Sequence, residues 1–139
     1  MAGLVLDSSF ALALVLPDET IAPEHPVNDW LAESGAAVPP HWHIEVGNGL
    51  LVAERRKRIF TEDMLAALNA FDRISIEVDA DHRRSWAETF DLARHHCLTL
   101  YDAAYLELAI RLGLPLATLD SELIAAAKAE QVPLITANA

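Results

Sequence analysis

The apolar residues of this chain fall into short runs whose period switches repeatedly between that of a strand and that of a helix. "GLVLD", residues 3–7, is a leucine- and valine-rich run closing on Asp7, as a short buried strand does. "SSFALALVL" follows as an apolar segment and stops at Pro17. "VNDWLAES" predicts a helix closed by Gly35, and "AAVP" a second brief strand. A long helix is expected over "PPHWHIEVGNGLLVAERRKR", with Pro40 near its start. "TEDMLAALNAFDR" predicts a helix with Thr61 as N-cap and Leu65, Leu68 and Phe71 on one face. "ISIEV" alternates as a strand should. "ADHRRSWAETFDLARHH" and "YDAAYLELAIRLG" are helical, the second ending at Gly113, and "PLATLD" is a strand. Helix "SELIAAAKAEQ" and strand "VPLITA" close the series.

Short apolar strands alternating with helices predict an α/β fold in three layers, an α/β/α sandwich around a central, mainly parallel sheet. No repeat, low-complexity stretch or dividing linker interrupts the pattern, so residues 1–139 read as a single domain. In such folds the groups that act on ligands gather at the carboxyl edge of the sheet.

That rule places four acids. Asp7 follows the first strand directly, and Asp120 follows "PLATL" at the same edge. Asp102 starts a helix of about 17 Å, and after the turn at "GLP" a strand of about 13 Å returns the chain, so Asp102 should lie near Asp120. Glu45 lies about one turn into the helix after "AAVP". Each acid also has a plainer reading. Asp7 and Asp120 precede helices and suit N-caps, Asp102 suits a first turn capped by Thr99, and Glu45 could face water. Their joint placement is the stronger observation. Carboxylates gathered together repel unless a cation holds them, and hard oxygen donors suit Mg²⁺ or Mn²⁺. The implied chemistry is metal-dependent hydrolysis of a phosphoester.

Composition changes this picture in two respects. The single cysteine, Cys97, excludes an intramolecular disulfide; it is expected to pack as a small hydrophobe, and nothing suggests an oxidising compartment. The N-terminal apolar run is interrupted by Asp7 and too short to span a bilayer, which leads to the expectation of a soluble, cytoplasmic protein with no membrane partner. The net charge of -11 weighs against non-specific nucleic-acid binding, and residues 1–54 hold eight acids and no Lys or Arg. The candidates for a local basic rim are "RRKR" (55–58), Arg83–Arg84 and Arg94, although "RRKR" equally suits a helix C-terminus. His41 and His43 are spaced i, i+2 and point apart on a helix; together with His95–His96 they read as surface or loop histidines rather than a zinc set.

"VLDSSFALALVLPDE", "HIEVGNGLLVAERR", "LTLYDAAYLELAIRLGLPLATLDSEL" and the closing "VPLI" resemble the motifs of PIN-domain ribonucleases, the nearest group being the VapC toxins of toxin–antitoxin pairs. The resemblance spans nearly the whole chain. It implies an acidic pocket binding Mg²⁺ or Mn²⁺, endonucleolytic cleavage of RNA, inhibition by a VapB-like antitoxin, and a homodimer. It would make Asp7, Glu45, Asp102 and Asp120 the catalytic and metal-binding acids, with Ser9, Asn48 and Thr118 as supporting polar residues.

Other readings fit less well. An aspartyl phosphatase would want a second acid where Ser9 stands. Ser8 and Ser9 lack a glycine-flanked elbow, and Gly47 and Gly49 do not make a phosphate loop. The alternative from a different class is a non-catalytic binding or regulatory module that keeps the PIN fold, disfavoured because all four acids are present.

Overall fold

A computed structural model of the chain describes residues 1–18 and 21–138, with side chains 82–85 excepted. Among the described residues five strands form one sheet: β1 (Leu4–Leu6), β2 (Ala36–Val38), β3 (Ile76–Val78), β4 (Leu116–Ala117) and β5 (Leu134–Ile135). Their order is β3-β2-β1-β4-β5, and every neighbouring pair is parallel. β1 and β2 are buried throughout, as expected for strands covered on both faces.

The helices of the described residues are α1 (Ser8–Val15), α2 (Pro26–Ser34), α3 (Trp42–Arg55), α4 (Thr61–Asp72), α5 (His82–His96), α6 (Leu100–Leu112) and α7 (Ser121–Ala129). α1, α3 and α4 pack together in one layer. α6 lies across β1, β2 and β4 in the other, with α5 and α7 against it. The predicted three-layer α/β/α sandwich is therefore the observed one. The chain winds outward from β1 to β3 on one side and from β4 to β5 on the other. This puts the topological switch between β1 and β4, where a ligand crevice is expected at the carboxyl ends.

Two glycines make the packing possible. Gly35 takes φ +72°, and a Cβ there would lie 2.2 Å from the Ser75 carbonyl oxygen beside β3. Gly49 faces α1, where a Cβ would meet Leu12 Cδ1 at 2.4 Å. It thus brings α3 close to α1 rather than cradling a phosphate.

Several local expectations are corrected. α3 runs only from Trp42 to Arg55, because Lys57 turns into the left-handed region at φ 59°. Phe60, not Thr61, is the N-cap of α4. The Asp63 carboxylate accepts from the Phe60 amide at 2.8 Å, while the Thr61 hydroxyl donates to Glu54 at 3.2 Å. Ala67 and Phe71 are the buried residues of α4, whereas Leu65 and Leu68 are 54% and 46% exposed. Cys97 is exposed in the turn between α5 and α6, so it does not pack as a core hydrophobe. Among the described residues no helix is long and apolar enough to cross a membrane.

Candidate active site

The carboxyl ends of β1 and β4 carry Asp7 and the segment Thr118–Asp120. Beyond Leu6 the chain leaves the strand, and the Asp7 amide still donates to the Ala117 carbonyl at 3.1 Å. The Asp7 side chain caps α1 by accepting from the Phe10 amide at 2.9 Å. It also accepts from Ser9 Oγ at 2.8 and 3.0 Å and from Thr118 Oγ1 at 2.5 Å. Thr118 and Ser9 each act twice: Thr118 Oγ1 accepts from the Asp120 amide at 3.1 Å, and Ser9 Oγ from the Leu119 amide at 3.0 Å. Asp120 caps α7, its Oδ1 accepting from the amides of Glu122 and Leu123 at 2.9 and 3.0 Å. Asp102 lies in the first turn of α6, whose N-cap is Thr99. Glu45 lies in the first turn of α3. Four helix N-termini therefore present their positive dipole ends to one cluster of carboxylates. The capping roles read from sequence hold for Asp7 and Asp120, alongside membership of the cluster.

Electrostatic coupling shows how the acids are arranged. Burial pushes the Asp7 carboxyl up to about 6 against the hydrogen bonds from Thr118, Phe10 and Ser9, and the charge of Asp102 adds to the rise. The Asp102 carboxyl is also raised, first by desolvation and then by the charges of Asp120 and Glu45, with a smaller contribution from Glu122. Asp102 is thus the acid coupled to the other three: its charge raises Asp7, and those of Asp120 and Glu45 raise it in turn. Among the described residues no Lys or Arg side chain pairs with Asp7, Glu45, Asp102 or Asp120.

Two residues missed from sequence complete the surroundings. Tyr105 is 1% exposed and donates its hydroxyl to Glu45 Oε1 at 2.5 Å. Burial and the bond to Glu45 hold its phenol well above the usual range, so it is a fixed donor. The signal for it was the "DAAY" spacing, which places Tyr105 three residues after Asp102 and on the same helical face. His41 is not a detached surface histidine. Its Nε2 lies 3.4 Å from Glu45 Oε1 and 3.1 Å from the Tyr101 carbonyl, and its ring stands edge-on to Tyr101 and Tyr105. Asn48, by contrast, is exposed on α3 and hydrogen-bonds to none of the acids. Of the basic candidates, Arg58 is engaged with Asp18 at 2.8 Å, Arg94 is exposed in the last turn of α5, and the Arg83 and Arg84 side chains lie outside the described residues.

The donor set fits a hard divalent ion. All four groups offer carboxylate oxygens, two of them are raised chiefly by burial, and among the described residues no Lys or Arg side chain pairs with them. The ligand atoms are not drawn into mutual contact. Among the described residues, the only three His, Cys, Asp or Glu with ligand atoms all within 4.8 Å of one another are His95, His96 and Glu130, which do not belong to this cluster. A looser carboxylate set suits Mg²⁺, which keeps several waters and takes one or two carboxylates directly.

Comparisons with known proteins agree with the fold. The sequence profile of the PIN domain matches residues 4–129. The structure resembles the crystal structure of PAE2754 from Pyrobaculum aerophilum, with a TM-score of 0.70 and 24% identity, covering 98% of this chain and 91% of that one. No curated protein matches the chain in sequence.

Proposed function

Because the chain belongs to the PIN-domain family, whose members are generally nucleases, we propose that it is a divalent-metal-dependent endoribonuclease and the toxin of a toxin–antitoxin pair. What supports this reading is the coupling of Asp102 with Asp7, Glu45 and Asp120, acids carried by four separate elements around the switch between β1 and β4. These acids would hold Mg²⁺ or Mn²⁺, which when bound makes water a better nucleophile at neutral pH and offsets charge on the phosphodiester. Thr118 and Ser9 hold Asp7 in place, and Tyr105 orients Glu45. Four helix N-termini, with their partial positive charge, further favour an anionic ligand here.

An overall charge of -11 opposes RNA, so the metal and a local basic surface must supply the attraction. Arg55 to Lys57 are exposed at the far end of α3, about 15 Å along the helix from Glu45, and suit a flanking strand rather than the scissile phosphate.

The antitoxin reading rests on an apolar groove of about 430 Å³ lined by Pro39, Trp86, Phe90, Leu100 and Leu108. His41 belongs both to this groove and to the surroundings of Glu45, so a segment seated there would end at the acids. A basic side chain at that end would complement them, and the acidic first 54 residues favour a basic partner. A homodimer is proposed from the family resemblance alone.

Purified protein free of any antitoxin should cut labelled RNA, transfer RNA included, with Mn²⁺ or Mg²⁺ and not with chelator. Asp102→Asn should abolish the cutting. Equal activity in the variant would expose a contaminating nuclease, and no cutting of any RNA would favour the inert binding module.

A further inference from the structure

We propose that His95, His96 and Glu130 form a second metal site, suited to a borderline divalent ion such as Zn²⁺ rather than to the hard ion of the acid pocket. Adjacent histidines on one helix made a poor zinc set in the sequence, but the third ligand comes from elsewhere in the chain. Glu130 is the C-cap of α7, and α5 delivers the two histidines in its last turn. One ligand atom from each of the three residues falls within 4.8 Å of the others. His96 Nε2 already lies 2.8 Å from Glu130 Oε2, and the two imidazole rings stand edge-on with centroids 4.6 Å apart.

The backbone around these residues is set for a cation. α5 and α7 both end at the site, so the negative ends of two helix dipoles meet there, and neither end brings a carboxylate other than Glu130 into the triad. Each helix is stopped at once by a left-handed residue, Cys97 at φ 54° after His96 and Gln131 at φ 59° after Glu130. The Leu98 amide then closes back on the Ala93 carbonyl, and the Val132 amide on the Ala127 carbonyl, both at 2.9 Å. The two ligand-bearing ends are therefore fixed in place, and only side chains need to move.

The chemistry selects the ion. Two imidazole nitrogens and one carboxylate oxygen favour Zn²⁺, Co²⁺ or Ni²⁺ over Mg²⁺, which prefers an all-oxygen shell. Tetrahedral bonds of about 2.0–2.1 Å separate neighbouring donors by about 3.3 Å. The 2.8 Å contact would then widen by about half an ångström and His95 would draw inward. His95 and Glu130 are exposed and free to make that change, whereas the His96 side chain is only 10% exposed and serves as the anchor. Three protein ligands leave one position for water. A bound ion would clip the end of α5 to the end of α7 and stabilise the folded chain by mass action.

The test is a calorimetric titration of the full chain with ZnCl₂ in buffer saturated with Mg²⁺, using wild type, His95→Ala, Glu130→Gln and Asp102→Asn. Circular dichroism confirms that each variant folds; the substituted positions of the triad are exposed, and His96 is left intact. One Zn²⁺ should bind the wild type and Asp102→Asn alike, at least tenfold more tightly than it binds His95→Ala or Glu130→Gln. Co²⁺ should give a tetrahedral visible absorption in the first two proteins and not in the others. No Zn²⁺ binding by the wild type, equal binding in all four, or a loss confined to Asp102→Asn would overturn the assignment.

Discussion

Thr118 donates its hydroxyl to Asp7 Oδ2 at 2.5 Å while accepting from the Asp120 amide at 3.1 Å, so one buried side chain joins two acids 113 positions apart. Thr118→Val keeps the shape of the side chain and removes both bonds. It should cost about 1–3 kcal/mol of stability and raise the Asp7 carboxyl further. Denaturant unfolding checks the first effect and carboxyl titration by NMR the second; Thr118→Ser should recover most of both.

The raised Asp7 carboxyl sets a pH dependence in metal-free protein. It takes up its proton near pH 6 when folded and near 3.8 when unfolded, so the folded state holds the extra proton between those values. Stability from this group therefore falls as pH rises from about 4 to about 6, by about 3 kcal/mol in all, and then levels off. Chelated Asp7→Asn should lack this slope. Parallel slopes in variant and wild type, measured by unfolding at each pH, would contradict it.

Tyr105→Phe removes the donor that orients Glu45 and leaves the ring packed. Outer partners of metal-binding groups are commonly worth 10- to 100-fold, so RNA cleavage should fall by about tenfold or more. Stability should change by only about 1 kcal/mol. An unchanged rate would remove Tyr105 from the site.

The strand ends and helix starts were legible in the sequence because Asp7, Thr99, Gly113 and Asp120 act through their own neighbouring backbone. A cap needs only the next turn of helix, so spacing reveals it. Tyr105 on Glu45 and Arg58 on Asp18 were not legible, since these bonds join residues 60 and 40 positions apart. The face of α4 was misjudged for a related reason. Periodicity marks Leu65 and Leu68 as apolar, but α1 and α3 cover only the stripe of Ala67 and Phe71. His96 and Glu130, 34 positions apart, were hidden likewise.

Arg111 tests the opposite end of α6. It bonds Asp79 at 2.7 Å and Glu107 at 2.9 Å, and the Glu107 side chain is 7% exposed. Arg111→Met would leave that carboxylate without its cation and should cost about 2–4 kcal/mol in denaturant unfolding, while Arg111→Met with Glu107→Gln should recover part of the loss.

Asp7, Glu45, Asp102 and Asp120 are proposed to hold a divalent ion together. Calorimetric titration of Mn²⁺ into wild type, Asp102→Asn and Asp120→Asn is the test. The wild type should bind Mn²⁺ at least tenfold more tightly than either variant. Equal affinity in all three proteins, or no binding by the wild type, would contradict the claim.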